Sequence, residues 1–211
     1  MTGIENVVLQ GSFNANLTGN ALNNRLVGNS GNNTLNGAAG NDILDTGAGG
    51  VDTLQGGAGD DTYIVRIGAT ATITDSAGTN DLVKSFVDVN VAALVAGQGV
   101  EKVNLLGSGN ASIIANTLVN ILNGNSGNNT INAGAGADTV NGGAGDDTLN
   151  GEADNDILNG GDGLDQISGG DGNDTITAGA GNDGLSGDAG NDNLNGGDGD
   201  DVISPARGLI S

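Results

Sequence analysis

The sequence predicts an all-β chain, a right-handed parallel β-roll or β-solenoid in which two nine-residue repeats make one coil of eighteen residues. Three observations predict it. An apolar residue recurs at one phase of a nine-residue frame, the residues between are mostly glycine, asparagine and aspartate, and large side chains are almost missing. With 42 Gly, one Pro, one Tyr, two Phe and no Trp in 211 residues, a layered core built on aromatic anchors is excluded, so any core is narrow. Collagen is excluded too, because proline is nearly absent and glycine does not fall at every third position.

The repeats come first, since periodicity decides the architecture. From Gly142 the chain reads GGAGDDTLN, GEADNDILN, GGDGLDQIS, GGDGNDTIT, AGAGNDGLS, GDAGNDNLN and GGDGDDVIS without a gap. Upstream in the same frame stand AGAGADTVN, GNSGNNTIN and the weaker ANTLVNILN. The eighth position is apolar in every unit, from Ile113 and Leu122 to Leu194 and Ile203. An earlier block holds GNALNNRLV from Gly19, GNSGNNTLN from Gly28, GAAGNDILD from Gly37 and, after an insertion near Gly50, GGAGDDTYI from Gly56. A shift of 96 positions aligns Ile4 to Asp45 with Val100 to Asn141, so a long repeat contains the short one. The chain thus divides into a first block over residues 1–63, irregular solenoid strands over 64–99, a second block with the main array over 100–204, and a non-repeat tail over 205–211.

Each unit is expected to place its first six residues in a turn, because Gly, Asn and Asp tolerate positive φ. The last three form a short strand whose middle residue points inward and whose neighbours face solvent. Such a strand cannot stand alone, so successive coils must stack in parallel. Aspartates at position six then rise in two columns. Asp138, Asp156, Asp174 and Asp192 line one edge, and Asp147, Asp165, Asp183 and Asp201 the other.

Charge points to the partner. The formal net charge is −21, and between Asp138 and Asp201 there is no Lys or Arg. Nucleic acid and anionic membrane surfaces are therefore excluded as partners, and no apolar run is long enough to insert in a membrane. Cations are the natural counterpart. Coils stacked ~4.8 Å apart place an ion midway at the roughly 2.3 to 2.6 Å that calcium prefers. Two carboxylates about 5 Å apart repel by ~3 kcal/mol at an effective dielectric near 20, so the acidic half is expected to unfold without cation.

The units at Gly142 to Asn150 and Gly169 to Thr177 resemble the RTX, or hemolysin-type, calcium-binding repeat G-G-x-G-x-D-x-U-x. The resemblance implies about six Ca2+ ions in the second block, each held by carbonyls at positions two and four of one turn, carbonyls at one and three of the turn above, and the aspartate of each. On the first edge this would join Gly134, Gly136 and Asp138 to Gly151, Ala153 and Asp156, then Asp156 to Gly169, Asp171 and Asp174, then Gly170, Gly172 and Asp174 to Gly187, Ala189 and Asp192. On the second edge Gly143, Gly145 and Asp147 would meet Gly160, Asp162 and Asp165, Gly161, Gly163 and Asp165 would meet Ala178, Ala180 and Asp183, and Gly179, Gly181 and Asp183 would meet Gly196, Asp198 and Asp201. Glu152 and Asp154 occupy ligand positions where the pattern has glycine. Asp42 with Asp61 is a further candidate, though the insertion spaces them nineteen apart. Asn24, Asn33, Asn120 and Asn129 replace aspartate upstream, so few or no ions are expected there.

Function follows from the same residues. With no His and no Cys, neither a nucleophilic triad nor a zinc hydrolase site can be assembled, and no enzyme is expected. The resemblance implies a calcium-dependent folding module of a secreted bacterial protein, exported by a type I system and acting outside the cell or at its surface. Two alternatives stay open. One is a stalk or adhesive segment whose polar position-nine ladder meets a glycan, ice, a cell surface or, end to end, another copy; the other is an accessory module of an exported hydrolase within a larger parent polypeptide.

Overall fold

A computed structural model describes residues 5–92 and 99–204. The expected tail at 205–211, Pro205 included, and residues 93–98 of the connecting segment lie outside the described residues. All regular structure among them is β, in parallel strands, with no helix.

The described chain forms two compact units, 5–87 with 99–102, and 88–92 with 103–204. The first holds β1 (Asn6–Val8), β2 (Ala15–Thr18), β3 (Arg25–Val27), β4 (Asn33–Ala39), β5 (Ile43–Asp45), β6 (Gly50–Ala58), β7 (Thr62–Val65), β8 (Ala69–Thr74) and β9 (Leu82–Ser85). Its odd strands stack in the order β1-β3-β5-β7-β9 and its even strands as β2-β4-β6-β8. The second unit holds β10 (Val89–Asn90), β11 (Lys102–Leu105, all but its first residue), β12 (Ser112–Ile114), β13 (Ile121–Asn123), β14 (Thr130–Ala135), β15 (Thr139–Ala144), β16 (Thr148–Ala153), β17 (Ile157–Asp162), β18 (Gln166–Asp171), β19 (Thr175–Ala180), β20 (Gly184–Ala189), β21 (Asn193–Asp198) and β22 (Val202–Ser204). Here β11-β13-β15-β17-β19-β21 form one stack and β10-β12-β14-β16-β18-β20-β22 the other.

Register carries the repeat into space. Thr148 pairs with Gln166, Leu149 with Ile167 and Asn150 with Ser168, each eighteen residues on, which is one coil of two nonapeptides. The apolar eighth position therefore becomes a column. Leu26, Leu44, Tyr63 and Val83 fill it in the first unit, and Ile113, Ile131, Leu149 and Ile167 in the second, all buried. Burying such a side chain contributes about 1.5–3 kcal/mol, and the facing stack supplies a second column, Leu17, Leu35 and Leu54 in the first unit and Leu122, Val140, Leu158 and Ile176 in the second. Ile203 on the terminal strand β22 is 44% exposed because it has a neighbour on one side only.

One expectation needs correction and another an addition. The strands of the aspartate-rich coils are six residues long, running through positions one to three of the next unit, since Gly143 and Ala144 continue the ladder to Gly161 and Asp162. Glycine at these positions bends the strand without ending it. Position nine is also more than a solvated face: Asn150 Nδ2 donates to Asn132 Oδ1 at 2.7 Å and Asn123 Nδ2 to Asn104 Oδ1 at 2.8 Å, so asparagines tie successive coils together.

Candidate functional site

Position six builds the site. In the second unit the backbone N–H of Asp138 donates to Asp156 Oδ1 at 2.8 Å, Asp156 N–H to Asp174 Oδ1 at 2.8 Å, and Asp174 N–H to Asp192 Oδ1 at 3.0 Å. On the opposite edge Asp147 N–H donates to Asp165, Asp165 to Asp183 and Asp183 to Asp201 at 2.8, 2.8 and 3.0 Å. The two predicted columns are thus brought together in the predicted order. The carbonyls close the coil too, because Ile157 N–H donates to the Asp138 carbonyl and Gln166 N–H to that of Asp147.

Each carboxylate uses one oxygen this way and leaves the other. Oδ2 of Asp138, Asp147, Asp156, Asp165, Asp174, Asp183 and Asp192 is buried and has no hydrogen-bond partner. Burial, and secondarily the charge of the neighbouring aspartate, pushes Asp138 up to about 7 and Asp147 and Asp156 up to about 6, with Asp165 and Asp174 raised by the same causes. The backbone N–H bond opposes the shift without cancelling it.

Glycine shapes the space around the free oxygen. A Cβ on Gly142, Gly151 or Gly160 would stand closer than 3.0 Å both to Oδ2 of its own aspartate (Asp147, Asp156, Asp165) and to the carbonyl oxygen of Gly160, Gly169 or Ala178 in the coil above. The position-one carbonyls of the sequence-predicted ligand set therefore converge on the orphan oxygens. Those at position three, in Asp162, Ala180, Ala189 and Asp198, accept the N–H of Gly145, Gly163, Gly172 and Gly181, which leaves each a second lone pair. Positions two and four adopt positive φ, as in Gly161 (116°) and Gly163 (144°), turning their carbonyls along the stack. Glu152, Asp154 and Asp188 hold the same conformation at φ 78°, 77° and 62° without being glycine, against a cost on the order of 1–3 kcal/mol. The Asp154 side chain lies outside the column and accepts from Gly136 N–H at 3.1 Å.

The family comparison meets this geometry directly. The RTX calcium-binding nonapeptide repeat, in its four-copy form, matches residues 18–50, 47–69, 114–149, 123–158, 150–185 and 177–208, more than half of the chain. This chain belongs to that RTX repeat family. Among curated proteins no match was found. RTX repeats imply Ca2+, and the residues present fit it. A buried carboxylate oxygen without a donor, facing carbonyl oxygens in an all-oxygen cradle, is the donor set of a hard divalent ion.

Not every RTX turn is of this kind. Where position six is asparagine, position two is asparagine as well: Asn20 with Asn24, Asn29 with Asn33, Asn116 with Asn120 and Asn125 with Asn129. Asn129 Oδ1 accepts from Asn125 N–H at 2.8 Å, and its Nδ2 donates to the Ala111 carbonyl at 3.2 Å and to Asn125 Oδ1 at 3.3 Å. Asn125 Oδ1 in turn accepts from Gly127 N–H, and Asn29 caps Gly31 likewise. Neither position two nor position four has positive φ in these turns, and the strands entering them, β3, β12 and β13, stop at three residues. The amide supplies donor and acceptor together.

The first unit holds a second surprise, because its ladder survives the insertion. Asn24 N–H donates to Asp42 Oδ1, Asp42 N–H to Asp61 Oδ1 at 2.7 Å, Asp61 N–H to Asp81 Oδ1 and Asp81 N–H to Glu101 Oε2, with spacings of 18, 19, 20 and 20 residues. The extra residues are absorbed outside the column. Asp52, reached by Asn33 N–H at 2.8 Å, is a position-six aspartate that the insertion hid from the nonapeptide frame. Asp75 and Asp81 were also missed, since the segment between the blocks carries no frame, and so was Glu101 at the start of the second block; the signal was an acidic residue two before an inward one, Asp81 before Val83 and Glu101 before Val103, as Asp61 stands before Tyr63.

Proposed function

We propose that this chain is a calcium-dependent folding module of a secreted protein, which binds several Ca2+ ions between its stacked aspartate turns and acquires its structure by doing so. The orphan Oδ2 repeated along both edges of the second unit carries the proposal. Seven buried carboxylate oxygens without a donor, with proton affinity raised by burial at Asp138, Asp147, Asp156, Asp165 and Asp174, oppose the fold until a cation joins them. Each ion bound only by the folded state adds stability as its concentration exceeds the dissociation constant, so about six ions would act together. Their ligands would be the carboxylates of each adjacent pair, Asp138 to Asp192 and Asp147 to Asp201, with the intervening carbonyls.

Such a module stays unfolded where calcium is scarce and folds outside the cell, where extracellular sites of roughly 10⁻⁴–10⁻³ M affinity fill. That suits passage through an export channel, and RTX membership supports a secreted or cell-surface location. A binding and folding role rather than catalysis is favoured because the chain has no His or Cys and its buried carboxylate pairs are committed to the turns.

Circular dichroism of the chain in excess chelator and in millimolar calcium is the test. We expect most of the β-signal to need calcium and to return on its readdition. An identical β-signal in chelator overturns the proposal.

A further inference from the structure

Away from the nonapeptide array, the first unit buries a cluster of a different make. Asp61 precedes β7, Asp75 follows β8 and Asp81 precedes β9, and one carboxylate oxygen of each lies within 4.8 Å of the others. They are 1%, 7% and 0% exposed. Each is anchored through its first oxygen by a backbone N–H, Asp61 by Asp42, Asp75 by Gly57 at 3.1 Å and Asp81 by Asp61. Each leaves Oδ2 without a donor.

A second observation is independent of the carboxylates. Tyr63 occupies the core column at position eight and is fully buried, yet its hydroxyl makes no hydrogen bond. A Cβ on Gly56 would stand closer than 3.0 Å to both the Tyr63 hydroxyl and Asp61 Oδ2, so the phenol faces into the cluster. A Cβ on Gly78 would likewise meet Asp81 Oδ2 and the Gly59 carbonyl oxygen, which adds a neutral oxygen donor. Among the described residues the ion pairs of Arg25 and Arg66 are made to Asp45, and none reaches this cluster. Burial first, and then the neighbouring carboxylates, push Asp61 up to about 7 and Asp81 up to about 8.

We propose that Asp61, Asp75 and Asp81, with the Tyr63 hydroxyl and the Gly59 carbonyl beside them, form a separate site for one hard, oxygen-seeking cation of the calcium class. It differs from the array in kind. The array offers two carboxylates from stacked turns of one frame, whereas here a third, Asp75, enters from outside the frame. Three negative charges around one ion attract it more strongly than two, so this site fills before the array does. The identity of its natural ion rests on the calcium proposal above; its existence does not.

Tyr63 makes the site readable, because it is the single tyrosine in a chain without tryptophan. Terbium, a trivalent stand-in for calcium, is added to the full chain after chelator treatment, and its emission is followed on excitation of tyrosine. We expect emission to rise and level off near an equimolar amount, before the β-signal is complete, and to be displaced by excess calcium. Removing even an outer-shell partner of a metal ligand costs about ten- to hundredfold in affinity, so Asp75→Asn, which keeps an Oδ1 for the Gly57 N–H, should weaken the equimolar phase by at least tenfold. Asp156→Asn with Asp165→Asn should leave that phase unchanged while lowering the calcium taken up by the array. Should Asp75→Asn lose its β-signal in calcium, Asp81→Asn replaces it, and the unmodified chain alone remains decisive. No tyrosine-sensitised emission at saturating terbium overturns the site, leaving a protonated cluster, as does emission that Asp75→Asn does not change or that the array variant abolishes. A β-signal indifferent to calcium with the equimolar phase intact would remove the array proposal and keep this site.

Discussion

The coils turned by Asn33 and Asn129 and those turned by Asp156 and Asp165 differ at the sixth position by an amide in place of a carboxylate, and this changes what closes the turn. The Asn129 amide donates to a carbonyl of the preceding coil and accepts from its own turn, so the coil is complete and neutral. The Asp156 carboxylate accepts the Asp138 N–H with one oxygen and has nothing for the other. Position two follows suit. Asparagine there caps the turn and ends the strand, whereas glycine, or Glu152 and Asp188 held at positive φ, carries the strand on and turns its carbonyl toward the next coil. On the function proposed above, dependence on cation would be set turn by turn, through two positions acting together.

Acid should erase the difference most completely. The folded-state values of Asp138, Asp147 and Asp156 lie above the ordinary 3.8, so folding favours their protonated form. The stability this gives is fully present below about pH 4 and is lost as pH rises through about 6 to 7. In chelator, the β-signal should grow as pH falls from 7.5 to 5. A flat response would mean that these carboxylates are not what holds the array open.

Single exchanges between the turn classes have smaller effects. Asn129→Asp removes the donors to Ala111 and Asn125 and buries a charge in a turn without positive φ at position two, so it should cost about 1–3 kcal/mol. Denaturant midpoints in calcium measure this, and calcium uptake should not increase. Asp156→Asn is the reverse exchange. In chelator it should gain about 1 kcal/mol by removing an unsatisfied charge, and in calcium it should lower the ions bound. A loss of stability in both conditions would show that the Asn class needs asparagine at position two as well.

The apolar column and the two aspartate columns were legible because one nine-residue phase fixes both, so Leu149 and Asp147 come from the same count. What escaped was geometry that phase does not specify. The extension of strands through Gly143 and Ala144 depends on a positive φ at position two, and a composition of glycine reads equally as turn. The pairing of Asn125 with Asn129 was written in the sequence, but its meaning lies in an amide bridging two coils. Asp75 and Asp81 were hidden for another reason: the lengthened coils of the first unit shift sequence spacing while the backbone ladder keeps spatial spacing.

The position-six bonds from N–H to Oδ1 run one way, each amide reaching for the carboxylate of the coil that follows it in the chain, whereas one position earlier the amides reach back, Leu164 to Asp146 and Asn173 to Asn155. The turn edge is consequently two ladders of opposite direction lying side by side, so each coil offers its neighbour a donor and an acceptor at once.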